Sequence, residues 1–246
     1  MSRGLAELHR VKESLKRLEG YCRQEEYKGW DPYDGLNSKV FRAIPLIREF
    51  DLVRLAWIQL FKRNPINLRR LFQVPKDYNS KGIALFLSGY CNLLRYHRLS
   101  GNDDFGNEAG LIDKIYFLGD LLLSLRTPYS ALRTSSVWGY NFDWQARRLF
   151  FFPAGTPTVV VTAFCVSALL EAYKATGDNK YLDAALSASD FVLNKLHRTQ
   201  KDEGFLFSYS PLSGNDTVYN ASLLGTRILS QCYHYTKDEN QLAAAR

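Results

Sequence analysis

Apolar residues recur along this chain at the spacing of one helix face, about every 3.6 residues, over most of its 246 positions. Period-two alternation is confined to short pieces near 150–152 and 205–209. Polar turn signals separate the helical runs, and Pro45 is expected to divide or delay the second run. The pattern predicts helices over 5–26, 39–62, 67–73, 81–99, 105–125, 157–175, 180–196 and 218–235, with a ninth beginning near 239.

One stretch of the sequence is repeated. Residues 93–103 (LLRYHRLSGND) return as 169–179 (LLEAYKATGDN) and, less closely, as 229–239 (LSQCYHYTKDE). Each copy joins the end of an apolar helix to the start of another through a tight polar turn, which predicts a series of helical hairpins. The copies are farther apart than the roughly 33 to 47 residues of common two-helix solenoid repeats. This spacing favours a toroid of hairpins with extended loops over a plain superhelix.

The two helices of a predicted hairpin differ in polarity. Residues 157–175 are apolar nearly all round, as in a helix covered on every side, whereas 180–196 carry a single apolar stripe. An inner ring of buried helices within an outer ring of amphipathic ones is the architecture of an α/α toroid. We therefore predict an all-α fold of the (α/α)6 type, forming a single domain over 1–246.

The number of helices is smaller than a closed toroid requires. Six hairpins need twelve helices, and the sequence offers about nine, of which the last is short. We therefore expect the toroid to be incomplete at its C-terminus. An incomplete ring would expose apolar surface, so self-association is expected as well.

Composition and charge exclude several classes of function. The net charge is +7, but the 32 basic residues are spread among 25 acidic ones without a basic stripe, which argues against nucleic-acid binding. The longest apolar stretch, 158–170, is shorter than the roughly 20 residues of a membrane span. No apolar leader is recognisable at the N-terminus, so a cytoplasmic location is expected. The four cysteines and four histidines lack metal-ligand spacing, and neither a metal nor another cofactor is expected.

Alternate connections in an array of hairpins lie at opposite ends. The longer connections, 28–36, 74–79, 126–156 and 197–217, are expected to share one end, and long loops on a rigid scaffold are frequent sites of binding. Aromatic faces beside carboxylates and amides suit carbohydrate, so an oligosaccharide or polysaccharide is the predicted partner. The residues concerned are Trp30, Asp31, Tyr33, Asp34, Trp138, Tyr140, Asp143, Trp144, Gln145, Phe205 and Tyr209.

Several sequence blocks, spread from about residue 29 to residue 230, are similar to a known family. They resemble bacterial polysaccharide-biosynthesis proteins of the six-hairpin glycosidase superfamily. The resemblance implies an (α/α)6 toroid and a role in capsule or exopolysaccharide production, without residue-by-residue chemistry. The blocks are 29–35 (GWDPYDG), 81–86 (KGIALF), 140–148 (YNFDWQARR), 161–164 (VTAF), 207–211 (FSYSP) and 218–225 (VYNASLLG).

Asp143 is the first candidate for catalysis. In a hydrolase or lyase a carboxylate would protonate the leaving oxygen or activate water, and a second carboxylate is normally required. Asp31 and Asp34 are the candidates for that second group. In the alternative interpretation Asp143 caps a short helix or pairs with Arg147, while the other two carboxylates stabilise turns.

The candidate sugar contacts are aromatic, amide and cationic side chains. Trp144 and Tyr140 could stack on a sugar ring or pack in the core, and Asn220 could bond a hydroxyl or cap its helix. The candidate substrate-binding residues are Trp30, Tyr140, Trp144, Gln145, Arg147, Tyr209 and Asn220.

Three functions are compatible with these features. The first is a glycoside hydrolase or lyase that acts through Asp143 and another carboxylate. The second is a noncatalytic protein of polysaccharide binding or assembly, which keeps the aromatic residues without a working acid pair. The third is an isoprenoid-binding α/α toroid.

Overall fold

The computed structural model describes residues 3–128, 135–146 and 150–246. Within these ranges the chain is mostly helical, with two small β-hairpins, which confirms the predicted all-α class. The helices are α1 (Arg3–Gln24), α2 (Lys39–Arg42), α3 (Pro45–Arg48), α4 (Asp51–Arg63), α5 (Ser80–Ser100), α6 (Glu108–Ser124), α7 (Val159–Thr176), α8 (Asn179–Asn194), α9 (Tyr219–Thr236) and α10 (Glu239–Ala245). The strands are β1 (Trp144–Gln145), β2 (Phe151–Phe152), β3 (Arg198–Lys201) and β4 (Gly204–Phe207), paired antiparallel as β1–β2 and β3–β4.

Three consecutive helical hairpins form the body of the protein. Helix α5 packs on α6, α7 on α8 and α9 on α10, and α7 also contacts both α5 and α9. Helices α5, α7 and α9 are therefore neighbours in one layer, with their partners packed beside them. The predicted hairpin series is confirmed over these six helices, whereas closure into a six-hairpin ring stays a prediction.

The repeated sequence forms the turns of these hairpins. Gly101 and Gly177 end α5 and α7 with φ of 68° and 75°, in the left-handed region where glycine is favoured, and Lys237 takes the same conformation after α9. The side chains of Asp178 and Asp238 then accept hydrogen bonds from the first-turn amides of α8 and α10. Sequence similarity among the copies therefore reflects the need to end one helix and cap the next.

Helix α7 lies in the centre of the main hydrophobic core. Residues on all its sides are buried, including Val159, Val161, Cys165 and Leu169. It is also the one helix in the described ranges that is long and apolar enough to cross a membrane. Its contacts with α5, α6, α8 and α9 account for this composition in the fold.

The chain before α5 differs most from the predicted helices. The run 39–62 is divided into α2, α3 and α4, with Pro45 at the first position of α3, where a proline needs no amide hydrogen bond. The predicted helix over 67–73 is wrong. Hydrogen-bonded turns occur there instead, since the Asn67 side chain accepts from the Arg69 amide and the Val74 amide donates to the Arg69 carbonyl.

We predict that Gly119→Ala destabilises the protein. A Cβ atom at this position of α6 would lie 2.6 Å from Cε1 of Tyr181 on α8. The Tyr181 ring is fully buried and its hydroxyl donates to Asp120 Oδ1 at 3.0 Å, so it has little freedom to move. Overpacking costs about 1–3 kcal/mol, more than the gain of about 1 kcal/mol in helix propensity. Urea unfolding measures the difference.

Gly89→Ala in α5 is the matched control, because a Cβ there meets no atom within 4 Å. This variant should be neutral or more stable by up to about 1 kcal/mol. Equal changes in the two variants would contradict the close packing of α6 on α8.

Candidate functional site

A cavity of about 430 Å³ opens where three connections meet at one end of the hairpin array. The connection after α1 contributes Asp31 and Tyr33, the segment entering α5 contributes Asn79 and Lys81, and the connection before α7 contributes aromatic residues. Part of the predicted convergence of loops is therefore observed. The complete lining is Asp31, Pro32, Tyr33, Asn79, Lys81, Gly82, Leu85, Tyr140, Phe142 and Trp144.

Asp31 supplies the carboxylate of this cavity. Its Oδ2 accepts from Asn79 Nδ2 at 3.0 Å, and its Oδ1 accepts from the Tyr33 amide at 2.9 Å. Burial raises the pKa of Asp31 above its ordinary value of 3.8, partly offset by the Tyr33 amide and by the charges of Arg69 and Lys81. A fixed carboxylate with a raised pKa is suited to proton transfer.

Asp34 has a structural environment. Its side chain is 5% exposed, and its Oδ1 accepts from Arg69 Nε at 2.8 Å, while its Oδ2 accepts from the Asp31 amide. Burial raises the pKa of Asp34, and the Arg69 guanidinium opposes the rise. Arg69 also donates to the Asp31 carbonyl at 2.7 Å. The pair therefore holds the loop that carries Asp31, and Asp34 does not line the cavity.

Two tyrosines are coupled beside the carboxylate. The hydroxyl groups of Tyr209 and Tyr140 are hydrogen-bonded to each other. This bond lowers the pKa of Tyr140 and raises the pKa of Tyr209. Burial nevertheless keeps the pKa of Tyr140 above its ordinary value, and the charge of Asp31 adds to the rise. Tyr140 is therefore a neutral hydroxyl close to Asp31, supported from behind by buried Tyr209.

The position of Tyr140 depends on a close backbone contact. Gly139 forms an isolated antiparallel bridge with Pro157, and a Cβ at Gly139 would lie 2.2 Å from the Thr156 carbonyl oxygen. Only glycine therefore fits there. The Gly155 amide donates to the Tyr140 carbonyl at 2.7 Å, which fixes the same segment.

Strand β1 sends neighbouring side chains to different surroundings. Trp144 lines the cavity and stacks on Phe152 at a centroid distance of 5.2 Å. Gln145 is buried instead, with its Oε1 accepting from Arg54 Nε and its Nε2 donating to the Phe150 carbonyl. Trp144 is thus available for contact with a sugar ring, whereas both ends of Gln145 are engaged within the protein.

Asp143 lies in a different cavity from Asp31. Its Oδ1 accepts from the Ala154 amide at 2.8 Å and its Oδ2 from Arg42 at 3.3 Å. The cavity around it, about 580 Å³, is also lined by Arg42, Arg48 and Arg54. The structure therefore does not bring Asp143 together with Asp31, as the predicted acid pair requires.

The remaining candidates are dispersed. Trp30 donates from Nε1 to the Val74 carbonyl at 3.0 Å and lines a small cavity next to that of Asp31. Asn220 is exposed in the first turn of α9 and does not line the Asp31 cavity. Trp138 is fully buried in the core, with Nε1 donating to the Leu122 carbonyl. Arg147 lies outside the described residues.

Two polar residues of the cavity, Asn79 and Lys81, were not among the sequence candidates. Asn79 caps α5 by accepting from the Lys81 and Gly82 amides, and its amide group holds Asp31. Lys81 lies in the first turn of α5, with Nζ 4.5 Å from the centroid of the Phe164 ring. An asparagine directly before a helix is a recognisable cap, but its second bond across the fold depends on tertiary structure.

The described residues contain no group of three or more His, Cys, Asp or Glu side chains that could hold a metal ion. The four cysteines are buried and free, and burial raises the pKa of the Cys91 and Cys232 thiols to about 12. That the protein needs no cofactor stays a prediction from the sequence.

Residues 133–246 match a family described as D-glucuronyl C5-epimerase C-terminus. This is a carbohydrate-modifying family, so the match supports the coarse prediction of a carbohydrate-related protein and a saccharide partner. It does not show the predicted relation to bacterial six-hairpin glycosidases. Comparisons with curated proteins and with solved structures give no significant match. The matched segment contains the aromatic wall of the cavity, formed by Tyr140, Phe142 and Trp144. The other lining residues, among them Asp31, Tyr33, Asn79 and Lys81, precede it.

We predict that Arg69→Met lowers the free energy of unfolding at neutral pH by about 3–5 kcal/mol, because it leaves Asp34 buried without a countercharge. Loss of Arg69 should raise the pKa of Asp34 further, because the guanidinium opposes the rise in the parent protein. The deficit should therefore shrink as the pH falls below this higher pKa, since the neutral carboxyl no longer needs the guanidinium. Urea unfolding at several pH values measures both effects.

Arg98→Met provides the control for this variant. Arg98 pairs with Glu108 at 2.7 Å, but both side chains are more than 40% exposed. Its loss should cost less than about 1 kcal/mol. Similar costs for both arginines would show that the Asp34 pair does not organise the loop.

Proposed function

We propose that this protein epimerises D-glucuronyl residues of a polysaccharide at C5, using the cavity around Asp31 and Tyr140. The observation that carries the proposal is the joining of a carboxylate, a phenol and a cation in one cavity whose aromatic wall belongs to the epimerase-like segment. Each group matches one requirement of the reaction. The proposal refines the broader prediction of a carbohydrate-modifying protein.

The chemistry of C5 explains the requirement. In a uronate, C5 is bonded to the carboxylate carbon. Removal of the C5 proton therefore leaves a negative charge that spreads onto the carboxylate oxygens. A base must take this proton, a cation must stabilise the charge, and an acid must return a proton to the other face of C5. Bond breaking and bond making at C5 balance, and no oxidant is consumed.

Asp31, Lys81 and Tyr140 are the groups to which we assign these tasks. Asp31 would accept the C5 proton, since its raised pKa makes it a stronger base than an ordinary carboxylate. Lys81 would face the uronate carboxylate, and the neutral Tyr140 hydroxyl would donate the second proton. Solvent then reprotonates Tyr140 and removes the proton from Asp31, which restores the starting state. Trp144 offers an apolar face for the sugar ring.

Hydrolysis through two carboxylates has less support. Asp34 is bound to Arg69, and Asp143 lines another cavity, so neither accompanies Asp31 as a second acid. A lyase is chemically closer, because β-elimination from a uronate begins with the same removal of the C5 proton. A noncatalytic polysaccharide-binding role is the alternative if no proton is exchanged. Capsule or exopolysaccharide biosynthesis and a cytoplasmic location are further proposals that rest on the sequence alone.

We predict deuterium incorporation at C5 when the protein is incubated in D2O with D-glucuronate-containing polysaccharides such as hyaluronan, chondroitin and heparosan. NMR and mass spectrometry detect the exchange. Asp31→Asn should reduce it by about 100-fold or more, because the amide cannot accept the proton. Asp143→Asn should retain most of the exchange, since Asp143 lies in the arginine-lined cavity.

Other outcomes discriminate between the functions. Ultraviolet absorbance of an unsaturated uronate would favour a lyase, and new reducing ends would favour a hydrolase. Binding without exchange would favour the noncatalytic role. Exchange that survives Asp31→Asn would contradict our assignment of the base.

We also predict a pH dependence of the exchange rate. The rate should rise with pH as Asp31 ionises. The apparent pKa of this rise should lie above the ordinary 3.8, because burial shifts the ionisation of Asp31 to higher pH. Lys81→Met should move this limb to higher pH, since the lysine charge favours the ionised form of Asp31. A pH–rate profile of each protein measures the limb, and an unmoved limb would contradict the electrostatic contact between the two residues.

A further inference from the structure

A groove of about 440 Å³ lies between helix α1 and helix α5. Its α5 side is an apolar stripe at the spacing of one helix face, separate from the face that α5 buries in the core. Leu18 of α1 and Leu85 of α5 are 47% and 52% exposed, so the groove presents apolar side chains at an open surface. The α5 stripe is Gly82, Leu85, Phe86, Gly89 and Leu93, and the α1 side is Leu15, Leu18, Glu19 and Cys22.

Two features account for the space between these helices. The α5 stripe has glycine in place of a side chain at two positions, and a Cβ at Gly89 would meet no atom within 4 Å. Ion pairs attach α1 to α6 and to the turn after α5, since Glu19 accepts from Lys114 at 2.8 Å and Asp104 accepts from Lys12. The apolar side chains of α1 therefore line the groove without filling it.

The lining of the α1–α5 groove carries little charge. Glu19 is its one acidic or basic residue, and the Lys114 ammonium neutralises that carboxylate. Burial and the charge of Glu19 raise the pKa of the Cys22 thiol, and burial raises the pKa of Tyr90 far above its ordinary value of 10, so both groups stay neutral. The groove therefore suits a ligand that is itself uncharged and apolar.

The groove is continuous with the cavity of Asp31 and Tyr140. Gly82 and Leu85, one helical turn apart on α5, line both spaces. A ligand that extends from the Asp31 cavity in this direction passes from carboxylate, amide and ammonium groups to an almost wholly apolar lining. A further sugar or an extended peptide would lose hydrogen bonds to water there without replacing them, whereas a hydrocarbon chain has none to lose.

We propose that the α1–α5 groove binds the hydrocarbon chain of a glycolipid whose sugar head group occupies the cavity of Asp31 and Tyr140. The inference rests on the proposed function for the identity of that head group as a uronate. Its own content is an apolar chain, joined to the sugar, that lies between α1 and α5. Saccharide binding and hydrocarbon binding, which were separate alternatives from the sequence, then belong to one ligand.

Calorimetry tests the groove without requiring turnover. The ligands are methyl, butyl and octyl β-D-glucuronide, with octyl β-D-glucoside for comparison, all below their critical micelle concentrations. Each methylene group buried in the groove should strengthen binding about twofold to fourfold. The octyl glucuronide should therefore bind at least about 100-fold more tightly than the methyl glucuronide.

Two variants obstruct the groove in different ways, and neither alters a residue that lines the Asp31 cavity. Gly89→Phe fills the groove from α5, and Leu18→Asp places a charge in it from α1. Each should weaken the octyl glucuronide at least about tenfold and leave the methyl glucuronide unaffected. Gly89→Ala and Val11→Asp are the controls and should bind like the parent, because a single methyl group leaves most of the space and Val11 does not line the groove. Thermal unfolding should show Gly89→Phe to be at least as stable as the parent, since its Cβ meets no atom.

The glycolipid groove is overturned if affinity does not rise with chain length, or if Gly89→Phe and Leu18→Asp bind the octyl glucuronide like the parent. It is also overturned if sedimentation shows a dimer of the parent that Gly89→Phe dissociates, because a second copy would then cover the groove. Failure of the proposed epimerase would appear differently. The octyl glucoside would then bind as tightly as the octyl glucuronide, or the dependence on chain length would hold while no polysaccharide exchanges deuterium at C5.

Discussion

The buried pair of Arg69 and Asp34 determines where the candidate base lies. Arg69 binds the Asp34 carboxylate and the Asp31 carbonyl, and Asp34 accepts from the Asp31 amide. These bonds join the turn before α5 to the loop after α1, in which Asp34 begins a short 3-10 helix (Asp34–Asn37). A buried ion pair contributes little net stability, but it is costly to break, which makes the geometry specific. The Asp31 carboxylate, which faces the cavity, is therefore positioned with the help of Asp34, whose own carboxylate does not line the cavity.

The rest of the cavity depends on the hairpin array. Helix α5 begins at the cavity, and its capping residue Asn79 reaches across to Asp31. The connection before α7 is held against the core by buried Trp138 and by the Gly139–Pro157 bridge, which leaves Tyr140 and Trp144 at the cavity. The rigid helices thus determine the ends of each connection, while local hydrogen bonds aim the side chains.

The residues that line the cavity come partly from the segment that matches the family and partly from the chain before it. The aromatic wall lies in residues 133–246, and the charged wall lies before them. The proton transfer that we propose at C5 uses both walls, because the phenol and the stacking surface come from one and the carboxylate and the cation from the other. This division explains why the proposed chemistry could not be assigned from the matched segment alone.

The hairpins themselves were predictable from the sequence, because they follow from local physics. A glycine or lysine in the left-handed conformation followed by an aspartate cap ends one helix and begins the next, wherever the segment lies in the fold. The all-round apolar composition of α7 likewise predicted its burial. The lengths of the connections also predicted that Asp31, Tyr140 and Trp144 lie at one end of the array, and the three residues line one cavity in the structure.

Only the tertiary structure separated the carboxylates and divided the run 39–62 into three helices. Asp31, Asp34 and Asp143 occur in similar turn-forming contexts, yet one faces the cavity, one binds Arg69, and one faces Arg42. Asn79 is an ordinary polar residue in the sequence, and its role arises from a hydrogen bond to Asp31, in a segment far away along the chain. Sequence periodicity reports the local backbone and the side of a helix that is buried. The partner of a polar side chain depends on how distant segments meet, so the chemistry of the cavity was decided by packing.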